Sequence, residues 1–195
     1  VFGEPIVAYG IIERFATTTK ATSTPLAPFV RFIERKTGHV YEMDMTWEKR
    51  SESLTRLSNT TIPAIQHAHF ADSASAAVIQ YVDDEGLART ALLTFPEKNP
   101  KDMKIQFIEG TFADVALSPL GNELFLLEHA TVQGTDGVRG YLMTLPQGTR
   151  KEVFSSTLHD LAVSWHGTTI YIYERAGAIG QGGVLFAANP RWLIF

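Results

Sequence analysis

Two stretches of this chain follow one plan at a fixed distance. From Ala116 to Leu127 a short apolar strand enters a Ser118-Pro119-Leu120-Gly121 turn, and a second apolar strand leaves it. From Ala162 to Tyr173 the plan recurs, with Ser164 lying 46 residues after Ser118 and Gly167 lying 46 residues after Gly121. A period of that size is the mark of a repeat architecture, in which one supersecondary unit is stacked on copies of itself. No other feature restricts the fold as strongly.

The rest of the chain divides into the same units. Residues 4–12 are rich in β-branched side chains and read as a first strand. Thr17 to Pro28 lacks usable periodicity and reads as a loop or extended insertion. Phe29–Glu34 and His39–Met45 alternate about the Arg35–Gly38 turn, which makes them a hairpin. Ser53–Leu57 follows as a short outer strand. The second unit takes Ala64–Phe70, Ala77–Val82, Arg89–Phe95 and Lys104–Ile108. The third takes Ala113–Ser118, Glu123–Glu128, Val138–Leu145 and Lys151–Phe154. The fourth takes Asp160–Ser164, Thr169–Glu174, Gly183–Ala188 and Trp192–Phe195, with Gly-rich hairpin tips at Gln133–Gly137 and Gly177–Gly183. The alanines between Phe70 and Val82 would suit a helix, but their place in the repeat assigns them to a turn and a strand.

Four units of four short antiparallel strands, with almost nothing helical, predict an all-β fold of β-propeller blades. The expected blades span about 1–59, 60–109, 110–156 and 157–195 of a single domain. The first unit begins on a first strand and the last ends on a fourth, so no strand is spare to interlock the two ends. Three arrangements stay open: part of a larger ring, a four-bladed ring closed by simple packing, or two copies joined through unpaired blade edges. The chain starts at Val1 rather than methionine, which leaves room for an upstream segment.

The run Ser118-Pro119-Leu120-Gly121-Asn122-Glu123-Leu124-Phe125 resembles the Ser-Pro-Asp-Gly signature of TolB-like and WD-repeat-type propeller blades. The hairpin from Glu34 to Asp44 is similar to the middle hairpin of such blades, as in bacterial propellers of uncharacterised function. In the fourth unit Trp165-His166 replaces Pro119-Leu120, and in the second Ala71-Asp72-Ser73 departs from the signature. The resemblance implies a fold, and it favours a periplasmic, cell-surface or extracellular setting where the residues themselves leave the compartment open. It carries no catalytic residue.

Composition narrows the partners. A net charge of -4 and scattered Lys and Arg leave no basic stripe for nucleic acid. There is no cysteine, hence no disulfide or thiolate site, and no apolar run reaches the roughly 20 residues that span a bilayer. No cofactor motif is read: Gly177–Gly183 joins two strands rather than opening a helix, and no serine lies in a Gly-x-Ser-x-Gly elbow. Asp83-Asp84-Glu85 and Asp44-Met45-Thr46 lack the spacing of a calcium loop and read as solvated turns.

One polar set stands out. In the repeat alignment Glu4, His67, Asp114 and Asp160 fall at one position early in the innermost strands, where they would ring the mouth of a central channel. Such a ring is either a site for a cation or polar ligand or the ordinary lining of a wet channel, and the second is the simpler. His67 and His69 share a strand face, but no third ligand accompanies them and His69 aligns with Ala116 and Ala162. His166 reads as a solvated strand end, and Trp165 as packing between blades. The expected function is therefore non-enzymatic binding of a protein or other macromolecule through a channel mouth and its loops. A ligand-, metal- or enzyme-associated propeller and a self-assembling surface element are the alternatives.

Overall fold

A computed structural model describes residues 3–15, 26–46, 53–175 and 185–188. Their strands form four antiparallel sheets, each built in chain order. The first holds β1 (Ile6–Phe15), β2 (Leu26–Glu34), β3 (Val40–Asp44) and β4 (Thr55–Arg56). The second holds β5 (Ile65–Phe70), β6 (Ala76–Val82), β7 (Ala88–Thr94) and β8 (Lys104–Ile108). The third holds β9 (Asp114–Leu117), β10 (Glu123–Val132), β11 (Thr135–Thr144) and β12 (Thr149–Ser156), and the fourth β13 (Leu161–His166), β14 (Thr169–Glu174) and β15 (Leu185–Ala188). The only helical turn among the described residues is the 3-10 turn Pro100–Asp102. The expected strand Trp192–Phe195 and the tip Gly177–Gly183 lie outside the described residues.

Several expected boundaries change. Leu26–Pro28 belongs to β2 rather than to a loop, with Pro28 opposite Glu13. Proline is admitted there because only its carbonyl is needed, and it accepts from the N–H of Met45 at 2.9 Å. The hairpin of β10 and β11 is longer than expected, because Gln133 and Gly134 turn the chain by themselves with φ of 52° and 83°. Two left-handed residues in succession match the twist of the flanking strands. The outer strand of the first unit shrinks to Thr55–Arg56.

The sheets stack face to face, and side-chain alternation shows how. In β10, Leu124 and Leu126 enter a core shared with the second sheet, while Phe125 and Leu127 enter one shared with the fourth. In β6, Ala77 and Ile79 face the first sheet, and Ala76 and Val78 face the third. Strands buried on both faces have to be apolar without interruption, which is why these two read as solid apolar runs. The result, among the described residues, is three separate cores, one for each pair of adjacent sheets.

An arginine accompanies each core. The Nε of Arg31 on β2 donates to Glu42 at 2.8 Å and its Nη1 to the Ala74 carbonyl at 2.7 Å, with the guanidinium 4.9 Å above the Phe95 ring. This ties the first sheet to the second. Arg150 on β12 donates to the Glu109 carbonyl and lies 5.3 Å over the Phe112 ring, where the second sheet passes into the third. Arg175, after β14, donates to the Ala113 carbonyl at 3.1 Å and pairs with Asp114 at 3.5 Å, tying the fourth sheet to the third. The planar five-donor guanidinium suits a role in which carbonyls, a carboxylate and an aromatic face are held together.

The turn of the third unit works as its sequence suggests. The Ser118 hydroxyl accepts from the N–H groups of Asn122 and Glu123, and Gly121 is left-handed with φ of 73°. The second unit has the same turn without the motif. Ala71 and Ala74 reproduce the backbone bonds of Ser118 and Gly121, and Ala74 takes the left-handed conformation with φ of 48°. The fourth unit does the reverse. Ser164 is inside β13, paired with Tyr171, and the chain reverses three residues later at Gly167 and Thr168. The Ser164 to Gly167 match is therefore one of sequence, and the turn there is a tighter one.

Candidate functional site

The first strands of the sheets lie side by side, β1 beside β5, β5 beside β9 and β9 beside β13. Where β5, β9 and β13 meet they leave a cleft of about 170 Å³. Its lining comes from His67 and His69 on β5, Val78 and Gln80 on β6, Asp114 and Ala116 on β9, and Val163 to His166 on β13. His67 and His69 point to the third sheet because their neighbours Ala68 and Phe70 pack on the core with the first.

Of the four residues expected in a polar ring, the cleft brings together two, His67 and Asp114. Glu4 is exposed ahead of β1, and Asp160 is exposed ahead of β13; neither lines the cleft. The reason for Asp160 is register. Asp114 pairs with Leu127, and the corresponding pair in the fourth sheet is Ala162 with Tyr173, which puts the counterpart of Asp114 two residues beyond the spacing of 46. Asp160 instead closes the sheet end, its carbonyl accepting from the Arg175 N–H at 2.9 Å.

Asp114 is already engaged. One carboxylate oxygen accepts from the Val115 N–H at 2.9 Å, and the other from the Val163 N–H at 3.0 Å on the neighbouring sheet. With Arg175 this makes it a strap from β9 to β13. Gln80 spans the preceding interface, donating to the Phe112 carbonyl at 3.3 Å. Ser118 spends its hydroxyl on its turn, donating to Asn122 at 3.0 Å while accepting two N–H groups. In the acidic turn Asp83 accepts from the N–H groups of Glu85 and Leu87 and pairs with Arg89 at 2.6 Å. Arg89 foremost holds the Asp83 carboxyl below its usual range, so that turn is satisfied internally.

What remains unspent lies in the cleft. His69 is held below the ordinary imidazole value, first by burial and further by His166, with Asp72 pulling the other way. Trp165 is 7% exposed, and its indole N–H is the one buried side-chain polar atom among the described residues with no partner. From sequence, His166 is expected at a solvated strand end and Trp165 in packing between blades. Trp165 does pack, in the core between the third and fourth sheets, and it also walls the cleft. Among the described residues no three His, Asp or Glu side chains converge to hold a metal ion.

No protein-family profile matches the chain, and no curated protein matches it significantly. Solved structures do match. A TolB from Agrobacterium tumefaciens superposes with a TM-score of 0.51 at 10% identity, over 83% of this chain and 54% of that one. The chain has a TolB-like β-propeller fold. An acylaminoacyl peptidase from Pyrococcus horikoshii matches the TolB-like sheets with a TM-score of 0.50 at 6% identity, over 84% of this chain and 30% of that one. A TolB from Acinetobacter baumannii gives 0.47 at 10% identity over 93% and 55%. The chain thus spans about half the length of the TolB structures it matches. A fold shared with a peptidase does not choose an activity for this TolB-like propeller, and its site has to be argued from its own residues.

Proposed function

We propose that the chain is a non-enzymatic propeller module that docks a protein or other macromolecular partner at the mouth of the cleft between β5, β9 and β13. The observation that carries this reading is the convergence of three first strands on one cleft, with imidazoles at His67, His69 and His166. The walls are fixed by Asp114, Gln80 and Arg175, so the recognition surface is preorganised and loses little entropy on binding. Two chemically suggestive groups elsewhere are spent on structure, Ser118 in its turn and Asp83 on Arg89. The test is selection of displayed random peptides on the native chain. Peptides that bind it and lose binding to a His67→Glu, His166→Glu variant support the reading. Peptides insensitive to those substitutions, or no selectable peptide, count against it.

A second reading, end-to-end association of copies, is favoured by the outer sheets. Gly10 faces the second sheet so closely that an added methyl would come within 2.8 Å of the Ala74 Cβ, which turns its neighbours Tyr9 and Ile11 outward at 68% and 56% exposure. In the fourth sheet Ile172 faces inward, which turns Tyr173 and its partner Leu185 outward. An apolar face at each end of a stack invites a copy of the other end. A concentration-dependent dimer by sedimentation, abolished by Tyr9→Lys with Leu185→Lys, is the expected outcome; a monomer at all concentrations removes this reading.

A further inference from the structure

Among the described residues the one buried side-chain polar atom without a partner is the indole nitrogen of Trp165, a residue of the cleft lining. The indole N–H of Trp165 is a donor only, so whatever completes it has to accept. Beside it stand the imidazoles of His67 and His69 from β5 and His166 from β13. The charged groups near them are Asp114, Arg175 and Asp72. Asp114 lies on the lining but is neutralised by Arg175 and by the N–H groups of Val115 and Val163. Asp72 acts on His69 from the β5–β6 turn. A carboxylate is acceptor-only and charged, and it matches both the orphan N–H and imidazoles able to take up a proton. The cleft of about 170 Å³ has room for a small acid or an acidic side chain.

We propose that this cleft is a carboxylate-binding site whose occupancy rises as the pH falls toward the imidazole range. The proposal deepens the docking reading above and rests on it, since it names the group that the cleft receives. The linkage has a definite sign. Burial and His166 disfavour the protonated form of His69 in the empty cleft. A bound anion favours that form, so binding takes up a proton and tightens on acidification.

The experiment titrates the folded chain with sodium acetate, following the histidine imidazole and tryptophan indole signals by NMR at pH 7.5 and 5.5. Saturable shifts at His67, His69, His166 and Trp165 are expected, with affinity rising by up to about tenfold per pH unit for one linked proton. Trp165→Phe keeps an aromatic, though smaller, side chain, loses the N–H, and is expected to bind several-fold more weakly. Should that variant fail to fold, His69→Gln takes its place, with loss of the pH dependence as the expected result. Absent or non-saturable shifts, equal affinity at the two pH values, or wild-type binding by the folded variant would overturn the proposal. A second arm compares a blocked pentaglycine carrying one central glutamate with its glutamine counterpart. Preference for the glutamate peptide over acetate identifies a peptide carboxylate as the source, and preference for acetate a free acid. Selected peptides that dock at the mouth while acetate leaves the imidazoles untouched would sink the carboxylate proposal and leave the docking reading intact.

Discussion

Single residues carry more of this fold than their chemistry announces. Gly121 has φ of 73°, and a methyl there would stand 3.0 Å from the Ala76 Cβ. Gly121→Ala is expected to destabilise the chain by about 1–2 kcal/mol, measured as a shift in the urea midpoint. Ala74 occupies the same place in the second unit despite its side chain. It is 0% exposed, and its carbonyl accepts from Arg31, so buried packing and a charged hydrogen bond offset the strain. No glycine marks the position, which is why this turn is illegible in the sequence. His69 makes a second prediction. Its pKa is depressed in the folded chain, so the unfolded chain binds the extra proton and the stability it contributes is present above the unfolded value. Stability should therefore fall as the pH drops below about 6.5, and His69→Gln should flatten that dependence in urea titrations at pH 7.5 and 5.5.

At the scale of elements, strands buried on both sides were the legible part. Leu124–Leu127 and Ala76–Ile79 are apolar without a break because each serves two cores, and that pattern survives in one dimension. Register was not legible. A tight two-residue turn after His166 moved the first strand of the fourth unit by two residues, and with it Asp160 out of the position that Asp114 holds. Only His67 and Asp114 could be found from polarity in a first strand. Trp165 and His166 escaped because the cleft is made by three strands meeting, which no single stretch encodes. Asp114 itself serves the joint between β9 and β13. Asp114→Ala is expected to cost about 1.5–3 kcal/mol, the range for hydrogen bonds to a charged group. Hydrogen exchange should localise the loss, with the Val163 N–H exchanging faster and the β10–β11 ladder little changed.

For the whole molecule the decisive fact is that, among the described residues, three cores lie between four sheets and none joins more than two. Interactions then run only between neighbours, and stability is close to a sum over sheets and their interfaces. Deleting residues 157–195 should remove one core and leave the Leu124–Leu126 and Ile79–Leu93 cores cooperative, checked by a urea transition that persists at a lower midpoint. A single shared core would instead collapse as a unit. The same arithmetic bears on how such a chain responds to tension or to a protease. Opening proceeds from an outer sheet inward, like peeling pages from a book, and each page released exposes one fresh apolar surface. The cleft depends on the second, third and fourth sheets together. It is the property of the stack that disappears first when peeling starts from the fourth sheet, and it outlasts the loss of the first.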